Sequence, residues 1–82
     1  MKLEIYKEAV ITNDLPDLGL RKGDVVTLVD ELRAVDGSLG YAVEVFNAVG
    51  ETIDVHMIAA SAVEPLHEDE VFCIRRIEKV AA

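Results

Sequence analysis

Residues 40–58 read GYAVEVFNAVGETIDVHMI. The first half sets Tyr41, Val43 and Val45 against Ala42, Glu44 and Phe46. The second sets Ile53, Val55 and Met57 against Thr52, Asp54 and His56. Successive side chains leave a strand on opposite sides, so a period of two marks a half-buried strand. Between the halves, "AVG" has room only for a tight loop, and Gly50 sits where such a loop needs a left-handed residue. With Asn47 opposite Glu51, Val45 pairs with Ile53, Val43 with Val55 and Tyr41 with Met57. Glu44 then faces Asp54, and Ala42 faces His56. The expectation is a hairpin with one apolar face for the core and one wet face, and a slip of one residue would mix the two.

Upstream, "YKEAVIT" reads as a short first strand that Asn13 and Asp14 stop. Pro16 lacks a donor and turns Leu15 away from helix, so "NDLPDLG" is a loop. Gly19 and Gly23 offer two positions where positive φ costs little. Between the turns, Leu18 or Leu20 is expected to plug the core from below, making this a packed corner. "DVVTLVDELR" follows as the second strand, β-branched at its start and bounded by turn residues. Downstream, the small residues of "AASAVEPL" suit a tight helical turn, and "AVEPL" suits a short strand in which Pro65 demands an edge or terminus. "EVFCIRRI" reads as a buried strand. A helix is the alternative, because Glu68, Asp69 and Glu70 precede it and Arg75, Arg76 and Lys79 follow.

The chain has 82 residues, enough for one domain that buries roughly 60% of its unfolded surface and leaves little room for a deep enzyme pocket. Its hydrophobic fraction of 51% supports a folded core, and its formal net charge of −8 repels phosphate backbones at long range. Cys73 is a single cysteine, and neither a signal-like segment nor a membrane-spanning apolar run is read. The simplest address is cytoplasmic.

"VITNDLPDLGLRKGDVVTLVD", "YAVEVFNAVGETIDV" and "VEPL" together resemble a group of small bacterial proteins known as domain of unknown function 4926. The resemblance covers roughly residues 7–66. It implies an all-β fold, a small SH3-like barrel of about five short antiparallel strands, with residues 67–82 as a C-terminal extension of the single domain. Members tend to carry Gly where this chain has Val26, which implies a less sharply bent second strand here.

The candidate chemistry is sparse. "GLRKGDVV" has two glycines and two cations, but Asp24 stands where an anion would sit and a strand follows, so it fails as a phosphate loop. Asp54, His56 and Glu44 share the expected wet face and offer metal-ligand chemistry, but a charged solvated face explains them better, and no metal site is expected. Cys73 lies between Phe72 and Ile74, a context that favours an inert packed thiol. Phe46 stands on the polar face beside Thr52. Either the extension covers it or it is an exposed anchor for another protein. No cofactor is expected. The reading is a non-enzymatic protein-binding module, the accessory or neutralising partner in a bacterial two-protein system, that recognises its partner through Ala42, Glu44, Phe46, Asp54 and His56. The alternative is nucleic-acid binding through the Arg21/Lys22 turn, and an uncovered barrel edge offers a route to a homodimer.

Overall fold

A computed structural model of the protein describes residues 3–77. Lys79 and the rest of residues 78–82 lie outside the described residues, as do residues 1–2. The chain forms β1 (Glu8–Ile11), β2 (Val25–Arg33), β3 (Leu39–Phe46), β4 (Thr52–Ala59) and β5 (Val63–Pro65), with one-turn 3₁₀ helices at Pro16–Leu18 and Ala60–Ala62. All pairings are antiparallel, and the order across the sheet is β4-β3-β2-β1-β5. Every strand sends side chains into one core cluster, among them Ile11, Leu28, Val43, Ile58 and Val63. A single sheet can do this only by curling around its own inner face. The all-β, five-stranded architecture is the expected one, with β4 and β5 as edges that do not pair with each other. No helix among the described residues is long and apolar enough to cross a membrane.

The corner between β1 and β2 is packed, as expected. Pro16 opens the 3₁₀ turn, and Gly19 closes it in the left-handed region at φ 71°. Leu15 and Leu20 bridge through two backbone hydrogen bonds, N–H of each to C=O of the other, at 2.9 and 3.2 Å. This turns the Leu20 side chain into the core, where it is 4% exposed. The β2 strand serves both halves of the sheet, pairing with β1 through Val25–Thr27 and with β3 from Thr27 onward. Its register shifts between Leu28 and Asp30, a bulge that bends the strand. Val26 is buried and pairs in register with Ala9, so the irregularity falls beyond it.

The β3–β4 hairpin forms, but not in the expected register. Asn47 does oppose Glu51, donating its N–H to the Glu51 carbonyl at 2.9 Å, and Phe46 opposes Thr52. Ile53 is then an extra residue on β4, and the pairs become Val45 with Asp54, Glu44 with Val55, Val43 with His56, Ala42 with Met57 and Tyr41 with Ile58. The cause is a conflict between the two ends of the hairpin. At the loop, Asn47 Oδ1 accepts from the amides of Glu51 (2.9 Å) and Val49 (3.1 Å), which fixes residue 47 against 51. At the far end, Ile58 is in the core and its carbonyl lies 2.9 Å from where a Cβ on Gly40 would be, so only glycine allows this approach. These two anchors are one residue out of phase, and a bulge absorbs the difference. Val55 and Met57 therefore stand outside, 57% and 75% exposed. The expected pairs Val43–Val55, Tyr41–Met57, Glu44–Asp54 and Ala42–His56 do not occur.

Beyond β5, residues 67–77 form neither strand nor helix. A turn closes at Glu70 N–H to His67 C=O, and residues 71–77 run on without regular structure. Val71, Phe72 and Ile74 are 86%, 70% and 85% exposed, so the expected buried strand is replaced by an open arm. The apolar run joins neither edge of the sheet, and its arginine is drawn to the corner.

Candidate protein-binding face

On a twisted antiparallel pair, residues directly opposite share a face. Tyr41, Val43 and Val45 point into the core, so Ala42, Glu44 and Phe46 point outward, and their partners Met57, Val55 and Thr52 point outward with them. Thr52 Oγ1 donates to Glu44 Oε2 at 2.6 Å, which fixes the carboxylate between the two strands. Around it lie Phe46, 40% exposed, and the nearly free Val55 and Met57. The outer face of the hairpin is thus an apolar surface with one pinned acid. Its two most exposed apolar residues escaped sequence reasoning, because a regular alternation puts them inside.

Asp54 and His56 do not belong to this face. The bulge at Ile53 turns both to the side of Val45 and Val43. His56 is largely buried, and its Nε2 is sealed from solvent without an aligned hydrogen bond, although it lies 3.1 Å from Asp54 Oδ2. The two atoms are close, but without the alignment that a hydrogen bond needs. The five residues expected to form one recognition face therefore divide, with Ala42, Glu44 and Phe46 on one side of the sheet and Asp54 and His56 on the other. The same division parts Glu44 from the other two candidate metal ligands. Among the described residues, no group of three or more His, Cys, Asp or Glu side chains could hold a metal ion.

A family model described as a domain of unknown function (DUF4926) matches residues 6–65. The chain belongs to the DUF4926 family. No curated protein and no solved structure matches it. The DUF4926 region takes in all five strands, the corner and the outer face, while the arm lies beyond it.

The DUF4926 corner meets the arm at one place. Arg75 Nε donates to Asp24 Oδ1 at 2.8 Å, and its Nη2 donates to Asp24 Oδ2 at 2.5 Å and to the Gly19 carbonyl at 3.0 Å. Such a forked pair is the strong form of a charged hydrogen bond. Asp24 Oδ2 also accepts from the Arg21 amide at 2.8 Å. Burial pushes the Asp24 carboxyl up, but the Arg75 guanidinium and the Arg21 amide outweigh it and hold the group below its ordinary value. Asp24 in return raises the Arg75 guanidinium further above its already high value, against the opposing effect of burial. The arm brings Phe72, Ile74 and Ile77 to the same open furrow that Phe46 and Ile53 line, so Phe46 is flanked by the extension and still partly open. Cys73 rides on the arm as an exposed free thiol, not the packed one expected from its neighbours.

The side chains of Arg21 and Lys22 are exposed, and carboxylates hold their backbone. The Lys22 amide donates to Asp14 Oδ1 at 2.9 Å, as the Arg21 amide does to Asp24. Acids thus occupy the backbone donors a phosphate would use.

Proposed function

We propose that this DUF4926 protein is a non-enzymatic binding module whose outer hairpin face docks on another protein, with Phe46, Val55 and Met57 as anchors around Glu44. The observation that carries this reading is the exposure of Val55 and Met57 on the same side as Phe46. Large apolar side chains gathered on one exposed face mark interaction sites more often than singly scattered ones do. The partner is a protein that presents an apolar pocket rimmed with basic residues, because a formal net charge of −8 favours encounter with a cationic surface. An acidic module of this size suits the accessory or neutralising half of a bacterial two-protein system. A reducing cytoplasm would keep the exposed thiol of Cys73 free.

The test is affinity capture from the native host with wild type, Phe46→Ala and Met57→Glu in parallel, followed by reconstitution with the captured protein. The reading predicts one cationic partner whose purified form binds wild type and loses at least tenfold in affinity with Met57→Glu. A partner indifferent to both substitutions removes this face from consideration. The nucleic-acid reading, through Arg21 and Lys22, has its own check: titration of mixed RNA and DNA at low salt, where phosphate contacts would give steeply salt-dependent binding.

A further inference from the structure

The Asp24–Arg75 contact joins the family core to a segment that has almost no other hold on it. Asp24 is held from within the corner as well as by the arm. Its Oδ2 also accepts from the Arg21 amide within the corner, and the Gly19 carbonyl beside it belongs to the residue that caps the 3₁₀ turn, so the corner's own backbone helps to set the acceptors that meet the guanidinium. The arm that supplies the guanidinium leaves Val71, Phe72 and Ile74 in solvent, and among the described residues its only hydrogen bonds to the sheet domain are those of Arg75. A well-formed receptor is therefore filled by a loosely tethered occupant.

We propose that the corner formed by Gly19 and Asp24 is an arginine receptor for an extended segment of a second protein, in which one arginine is flanked by apolar residues, and that the arm occupies this receptor in cis until such a segment displaces it. The arm supplies the pattern, Phe72, Cys73, Ile74, Arg75 with Ile77 following: Arg75 is seated in the corner, and the apolar residues border the furrow that leads to Phe46 while remaining exposed. The net negative charge of the chain favours a cationic segment over a second copy of itself. The inference deepens the binding-module reading by giving the partner a second point of contact. It does not use Val55 or Met57. A tethered arm competes at an effective concentration in the millimolar range, so a free peptide must reach comparable levels to replace it. Lysine would be a poor substitute in that segment, because an ammonium cannot make the forked pair.

The test uses the full chain carrying Arg75→Ala, which empties the receptor while leaving the corner intact. The probe is a synthetic peptide reproducing residues 70–77 with serine in place of Cys73, titrated to about 10 mM while backbone amide NMR shifts are followed. The expected result is saturable shifts at Gly19, Arg21 and Asp24 in Arg75→Ala, with at least tenfold more peptide needed for the same shifts in wild type. The shifts disappear when Asp24→Asn is added, or when the arginine matching Arg75 in the peptide is replaced by lysine. Absence of shifts in Arg75→Ala, or shifts that persist with Asp24→Asn, would overturn the receptor. Wild type that dimerises through exchanged arms in sedimentation would overturn the choice of a foreign segment. Met57→Glu should leave the peptide titration unchanged, so failure here and failure of the outer-face reading are separable.

Discussion

The two strands of the central hairpin carry the same alternation, and they use it differently. In β3, all three residues of the apolar set, Tyr41, Val43 and Val45, are in the core. In β4, the matching set of Ile53, Val55 and Met57 contributes no fully buried residue, and only Ile53 packs against the core cluster. Ile53 is the bulged residue, Val55 and Met57 face solvent, and Ile58 takes the inner position that Met57 was expected to hold. Hydropathy is nearly equal in the two strands. What differs is that β3 has neighbours on both sides while β4 is an edge, free to take up one extra residue. An inner strand is held in phase by two ladders and an edge strand by one, so a mismatch between the ends of a hairpin is relieved on the edge.

The contrast is most easily broken with a charge. Val43→Asp buries a carboxylate with no partner and should cost on the order of 5 kcal/mol, comparable to the whole stability of a domain this small. Val55→Asp, on the neighbouring strand, should cost no more than about 1 kcal/mol in urea titration, because its charge meets solvent and is opposed only by Glu44 across the pair. Equal effects would mean that Val55 is buried after all. Next in size is Gly40→Ala. A new Cβ would lie 2.9 Å from the backbone carbonyl of Ile58, an atom that cannot swing away, and the loss should be about 1–3 kcal/mol. If the loss is real but the hairpin survives, the shifts should concentrate at Gly40 and Ile58.

Much of this was legible from residues alone. Pro16, Gly19 and Gly23 wrote the corner, Leu20 its plug, and Pro65 the short terminal strand, because each acts through a local backbone rule that needs no tertiary context. The bulge at Ile53 was not legible. It arises from a disagreement between Asn47 at one end of the hairpin and Gly40 with Ile58 at the other, and neither end shows its phase in the alternation between them. For the same reason Ala42, Glu44 and Phe46 were placed correctly relative to one another, while Asp54 and His56 were assigned to the wrong side. The arm was misread because its apolar run resembles a buried strand, whereas its one decisive contact is Arg75 to a carboxylate 51 residues earlier.

His56 sharpens the comparison at a smaller scale. Its sealed Nε2 lacks an aligned hydrogen bond, so His56→Leu removes a desolvated polar atom and should raise stability by up to about 1 kcal/mol in denaturant titration. On the solvent side, where the regular register would have put it, the same change would be neutral.

The smallest effect belongs to the arm. Arg75→Ala should lower global stability by about 1 kcal/mol or less, because the pair is partly open to solvent, yet it should clearly speed amide exchange in residues 71–77. The pH dependence has a definite sign. The folded Asp24 carboxyl lies below its ordinary value, so its contribution is complete above the unfolded value near 3.8 and is lost as pH falls through the folded one. The arm should stay docked at neutral pH and come free only in acid below the usual aspartate range. Release near pH 6 would show that Asp24 is not what holds it.

Backbone NOEs across the hairpin of uniformly labelled protein examine the phase shift itself. Cross-strand contacts joining Val43 to His56 and Tyr41 to Ile58, with Ile53 left without a partner, are the predicted result. Contacts joining Val43 to Val55 and Tyr41 to Met57 would contradict it, and would return Val55 and Met57 to the core and close the proposed docking face.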